Sequence, residues 1–208
     1  MKISKPLSKI LDSEVKIDVL RFLCMTGAKW NGRQIAREIG ITPATAHKAL
    51  SSLNQEGVLL LHNIGKTHVY SLNENNFVVT DLLKPLFAKE RAVLDKIIAI
   101  IRHKVSASSI KDDIVSVALF GSVNVQQDHA ASDIDIALIA GSPKSKIKAE
   151  KLFEEIDRVV SVKFGNTIAP YINTKAEFKS KYKNKMAVIK NILKGHTIIF
   201  GKDLEEII

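Results

Sequence analysis

The sequence is short of residues that stabilise or specialise a protein through covalent or metal chemistry. It has one cysteine, Cys24, in 208 residues, which excludes an internal disulfide framework. Its setting in VLRFLCM reads as the buried side of a helix and not as a reactive thiol. The six histidines include no pair at metal-ligand spacing, so the sequence offers no zinc site. Aromatic residues make up 6% of the chain, with Trp30 the single tryptophan, and Trp30 is expected at the core or rim of the first domain. No apolar run approaches the roughly 18 residues of a membrane helix. The opening MKISKPLSKILDSEVK lacks the uninterrupted apolar core of a signal peptide. The expected compartment is therefore the cytoplasm, with no membrane partner.

What is present is ordinary for a globular chain: 46% apolar and 25% charged residues, enough for one large domain or two small ones. The net charge of +9 favours polyanionic partners. It is spread along the chain, with ten basic and five acidic residues through Tyr70 and 21 and 17 thereafter. Charge alone therefore does not locate a nucleic-acid site.

In chain order, residues 14–26 carry Val15, Val19, Leu20 and Leu23 on an apolar face and predict a first helix, broken by 27–31. Residues 32–40 predict a short second helix. Thr42 is a candidate N-cap with Pro43 at the first helical position, so a third helix is expected to run to Glu56 with Ala46, Leu50 and Leu53 inward. The segment VLLLHNIGKTHVYSL predicts a hairpin turning at residues 63–66. Residues 82–105 predict one long helix, with Pro85 in its first turn because an interior proline costs about 3 kcal/mol. Such a helix could couple two domains, form a dimer seam or pack on its own domain's sheet.

Further on, VSVALF (115–120) and IDIALI (134–139) predict two strands separated by Gly121-Ser122 and ten residues. In a strand, residues i and i+2 share a face, so Asp133 and Asp135 aim two carboxylates at one spot. Close carboxylates repel unless a cation lies between them, and such oxygen donors suit Mg²⁺ or Mn²⁺. A glycine permits close backbone approach, and the Ser hydroxyl with backbone N–H groups can hold a phosphate. A nucleoside triphosphate is the implied substrate. After the motif, 145–163 predicts a helix with a charged outer face, 166–173 a strand, Thr174 the cap of a helix running on into MAVIKNILKG, and 196–200 a last strand.

Gly121-Ser122, ten residues and Asp133-Ile134-Asp135 resemble the GSx10DxD signature of the minimal nucleotidyltransferases (MNT) of the DNA polymerase β-like superfamily, over roughly residues 88–208. IAREIGITPATAHKALSSLNQEGVL resembles the winged helix-turn-helix domains of MarR- and ArsR-type regulators, over about 11–72. The first resemblance implies that Asp133 and Asp135 are catalytic metal ligands, that Gly121 and Ser122 contact the nucleotide, and that a nucleoside monophosphate passes to a hydroxyl acceptor. The acceptor could be a small molecule or a protein such as a cognate toxin. The second resemblance implies that the third helix enters the DNA major groove. Thr42, Thr45, His47, Lys48 and Ser51 would face DNA, with His62, Lys66 and His68 reaching it from the wing, and the protein could form a homodimer.

One departure weakens the enzymatic expectation. The superfamily places a third carboxylate on the next strand, and 166–173 contains no acid. Ala169 falls at the expected position, and Asp128 or Asp157 could substitute only if folding brought them close. Tyr171 on the same strand could stack on a base, and His129 lies in the spacer. The expected organisation is α+β: a winged helix-turn-helix DNA-binding domain at 1–75, a linker and connecting helix at 76–105, and a nucleotidyltransferase domain at 106–208 with a small mixed sheet flanked by helices. The alternative is a transcription regulator whose degenerate nucleotidyltransferase domain only senses nucleotide.

Overall fold

The structure, a computed structural model, describes every residue except Met1, Lys66, Gln126, Asp128, Ala130 and Ala131. The chain separates into two compact units, Met1–Val93 and Leu94–Ile208.

The first unit is built from α1 (Glu14–Thr26), β1 (Trp30–Asn31), α2 (Gly32–Glu38), α3 (Pro43–Gln55), β2 (Leu59–Ile64) and β3 (Thr67–Leu72), followed by a π-helical turn at Val78–Leu83 and by α4 (Lys84–Arg91). Local chemistry sets the helix starts. Ser13 caps α1, Asn31 and Gln34 form a reciprocal capping box on α2, and Thr42 caps α3 with Pro43 behind it; each satisfies N–H groups that the helix itself leaves free. The strands pair antiparallel in the order β1-β3-β2. Leu20, Leu23, Ile35, Leu50, Leu53, Leu59 and Tyr70 form the core with Val79, Leu83 and Phe87. Three helices, a tight α2–α3 turn and a terminal hairpin make this a winged helix-turn-helix. Trp30 pairs with Tyr70 across the sheet and meets Phe22 edge to face at 5.1 Å.

The second unit contains α5 (Val93–Ser106), β4 (Ile114–Leu119), α6 (Gly121–Asn124), β5 (Ile134–Ala140), α7 (Pro143–Phe164), β6 (Ile168–Thr174), α8 (Lys175–Lys183), α9 (Ala187–Lys194) and β7 (Thr197–Gly201). Its mixed sheet runs β6-β5-β4-β7, with β5 and β6 parallel and the other pairs antiparallel. A parallel pair needs a long crossover, and the 22-residue α7 supplies it. Ile134, Ile136 and Leu138 of β5 pack with Phe153 and Ile156 of α7 and with Ile97, Ile101 and Val105 of α5. Ala137 and Ile139 pack on the other face with Phe178 of α8 and Ile189 and Ile192 of α9. The molecule is thus α+β, a winged helix-turn-helix followed by an α/β unit.

The helix expected as continuous over 82–105 is broken at Ala92, whose backbone leaves helical geometry (φ −80°, ψ 1°). Two separate cores claim its halves. Phe87 belongs to the first unit's core, and Arg21 binds Glu90 through Nε at 2.7 Å and a second nitrogen at 2.9 Å. α5 instead packs on the second unit's sheet, where Arg102 Nε donates to the Ile199 carbonyl at 2.9 Å. The segment 76–105, expected as a linker and connecting helix, is therefore divided between the units. Likewise the helix expected to run from Thr174 into MAVIKNILKG is interrupted, because Lys185 turns left-handed (φ 54°) between α8 and α9.

Candidate nucleotide site and nucleic-acid face

The Gly-Ser bend and the acidic strand are locked together by backbone geometry. Phe120, at the end of β4, donates its N–H to the Asp135 carbonyl at 3.0 Å. Gly121 then turns with φ +76°, where a Cβ would lie 2.0 Å from Asp135 Oδ2. Both the left-handed turn and the space demand glycine. Ser122 is half-buried in the single turn α6, and its carbonyl accepts the Gln127 N–H at 2.9 Å. Asn124, at the end of α6, accepts the Thr197 hydroxyl at 2.7 Å, which ties this turn to β7.

Asp133 is exposed and Asp135 half-buried, two residues apart on the strand. Burial first, and then the charge of Asp133, push the Asp135 carboxyl above its ordinary range. Loss of water disfavours the charged carboxylate, and the neighbouring like charge adds to the effect. Asp133 accepts a short hydrogen bond from the Thr167 hydroxyl, and the Ile134 N–H donates to the Thr167 carbonyl at 2.9 Å. One residue on, Ile134 pairs with Ile168 and Asp135 with Ala169. Asp133, Asp135, Thr167 and Ala169 therefore occupy one face at the mouth of the parallel pair.

Among the described residues, no acid completes this group. Asp157 belongs to α7 and accepts the Ile168 N–H at 2.7 Å, so its carboxylate is committed to the start of β6. Asp128 lies outside the described residues, among which no cluster of three or more His, Cys, Asp or Glu side chains is assembled. The residues present fit a divalent cation as a pair of hard oxygen donors, the set with which Mg²⁺ is held alongside substrate phosphates. His129 is exposed, and its N–H donates to Ser132 Oγ at 2.9 Å. Tyr171 carries the Lys181 ammonium 4.8 Å from its ring centroid and 3.1 Å from its hydroxyl, and the same ammonium donates to Asn173 Oδ1 at 2.5 Å. Tyr171, which could have stacked on a base, is engaged by Lys181.

In the first unit, Thr45, His47 and Lys48 are exposed on α3, and Ser51 is half-buried further along it. Thr42 spends its hydroxyl on the cap, accepting the Thr45 N–H at 3.2 Å. His62 is tied across the wing to Ser71 Oγ at 3.0 Å, while His68 is exposed. Lys66 lies outside the described residues. A cleft of about 540 Å³ between α2, α3 and β3 is lined by Arg33, His47, Thr67 and His68. Sequence reasoning passed over Arg33, which follows the α2 cap and reads there as an ordinary solvated residue. It also missed Thr167, Asn124 and Lys181, whose roles depend on strand pairing and helix placement that no local spacing encodes.

The fold and site define a nucleotidyltransferase unit behind a winged helix-turn-helix. The chain belongs to the polymerase beta nucleotidyltransferase family, whose model matches residues 96–205. Among solved structures, the chain is similar to the transcriptional repressor BigR from Xylella fastidiosa at 20% identity, covering 41% of this chain and 83% of that one, with a TM-score of 0.35. The homodimeric winged helix-turn-helix DNA-binding domain Mb0332 from Mycobacterium bovis, described as belonging to a possible ArsR-family regulator, is 20% identical, with 45% and 79% covered and a TM-score of 0.34. A toxin-antitoxin structure with AMP-PNP is 17% identical, with 50% and 77% covered and a TM-score of 0.34. The comparison with curated proteins gives no match. Among the described residues, no helix is long and apolar enough to cross a membrane.

Proposed function

We propose that this protein binds DNA through α3 and the wing, and binds a nucleoside triphosphate with Mg²⁺ or Mn²⁺ through Asp133 and Asp135, with Gly121 and Ser122 against the triphosphate. The observation that carries the nucleotide half is the contact of the Gly121 backbone with Asp135. A bend held this close to a half-buried carboxylate that a second acid repels is a poor packing solution and a good cradle for a cation bound to phosphates. When bound, the cation would neutralise the carboxylates and orient the triphosphate. Asp133 and Asp135 hold it, Thr167 fixes the Asp133 carboxylate, and Gly121 keeps the approach open.

Two outcomes follow from such a site. Transfer of a nucleoside monophosphate to a hydroxyl on a protein, such as a cognate toxin, or on a small molecule is supported by the intact bend and acid pair. Binding without turnover, so that nucleotide regulates DNA binding by a monomer or dimer, is supported by Ala169 opposite Asp135. The geometry favours the second, because activating an attacking hydroxyl is the task of a cation that three carboxylates would hold. Incubation with labelled ATP, CTP, GTP and UTP plus Mg²⁺ or Mn²⁺ separates the two. Retained label without pyrophosphate release, lost in Asp133→Asn and Asp135→Asn, is expected. Pyrophosphate release abolished by the same substitutions would establish transfer instead, and no metal-dependent retention at all would refute the nucleotide site.

A further inference from the structure

We infer that the Asp133–Asp135 site takes one divalent cation with its nucleotide and not two, an inference that rests on the nucleotide-binding reading above. The argument is one of donors. Two-cation sites hold their ions about 3.5–4 Å apart, and the repulsion between two doubly charged ions at that distance must be offset by carboxylates that each ion can reach. The two acids here stand in a four-residue group with Thr167 and Ala169. Thr167 donates its hydroxyl to one Asp133 oxygen and adds no charged donor to the group. Ala169, paired with Asp135, brings a methyl group and no oxygen donor to this face.

Two residues along β6 from Ala169, Tyr171 holds the Lys181 ammonium, which brings no oxygen donor to this face. Asp157, the acid of α7 nearest in sequence to β6, is held by the Ile168 N–H. A single Mg²⁺ or Mn²⁺ needs only one or two carboxylates plus phosphate oxygens and water, and that is what the described residues supply.

The test counts metal. The full-length protein is mixed with Mn²⁺ and a non-hydrolysable ATP analogue, freed of unbound ligand by rapid gel filtration, and assayed for retained nucleotide and, by electron paramagnetic resonance after acid release, for Mn²⁺. The inference requires about one Mn²⁺ per retained nucleotide, with both lost together in Asp135→Asn. A ratio of about two in the natural protein overturns the inference while leaving the nucleotide site standing. Absence of any retained nucleotide overturns both, as does retention of both ligands unchanged in Asp135→Asn. In Ala169→Asp, checked for folding by circular dichroism, the ratio is expected to rise to about two. A folded Ala169→Asp that stays at one would show that position 169 is not where the second cation is lost. Where that variant does not fold, the count on the natural protein still decides.

Discussion

Gly121 is the residue at which backbone conformation and chemistry cannot be separated. Its left-handed φ disfavours any L side chain by about 1–2 kcal/mol, and a methyl group there would displace the Asp135 carboxylate. Gly121→Ala is expected to abolish metal-dependent nucleotide retention and to lower the urea midpoint of unfolding, whereas a variant that still retains nucleotide would show that the bend is not part of the site. Asp135 makes a second prediction through pH. Its carboxyl is raised above the usual 3.8 by burial and by Asp133, so the folded protein holds the proton more tightly than the unfolded chain does. The associated stability is present below about 3.8 and is lost as pH rises through the folded value. Asp135→Asn should therefore be more stable than the natural protein at pH 7 without metal, and the two should converge in urea titrations near pH 3.5. An advantage that widened on acidification would contradict this account. The burial of Cys24 is milder in consequence: its thiol is pushed up to about 11, in keeping with a packing role on α1.

Among the elements, the helix starts were the most legible because a cap is a local event. Thr42 with Pro43, Gly27 and Gly57 mark their boundaries within four residues of sequence, and Thr42 does cap α3. Since that hydroxyl accepts the Thr45 N–H, Thr42→Ala is expected to cost about 1 kcal/mol of stability in the first unit. Thermal unfolding followed by circular dichroism would register it, and an unchanged midpoint would mean that water replaces the cap at no cost. The breaks within helices were illegible for the opposite reason. Leu83, Phe87, Leu94, Ile97, Ile101 and Val105 form one stripe at helical spacing that stays in phase across Ala92, with no glycine or proline near the break. Only the presence of two cores, one taking Phe87 and the other Ile97, ends α4 and restarts the chain as α5.

For the whole molecule, the +9 charge is divided between both units, so electrostatics favours DNA without indicating where it sits. On the DNA-binding reading proposed above, Lys48 on the exposed side of α3 is the residue whose contribution can be counted. If it neutralises a phosphate, Lys48→Ala should weaken DNA binding across sequences and reduce the slope of log affinity against log salt by about 1. Fluorescence anisotropy at several salt concentrations measures this, and an unchanged slope would place DNA elsewhere or nowhere. Lys66→Ala carries the same expectation for the wing.

The sequence by itself determined which residues meet within a single element and its turn: the two aspartates on one strand face, the glycine before them, the capped helices and the hairpin. Those follow from the fixed periods of helix and strand and from side chains that reach their own backbone. Tertiary structure alone decided what faces the aspartates, because β5 and β6 are joined through α7 and their register is set by packing on that helix. It is this register that puts a hydroxyl beside Asp133 and a bare methyl beside Asp135.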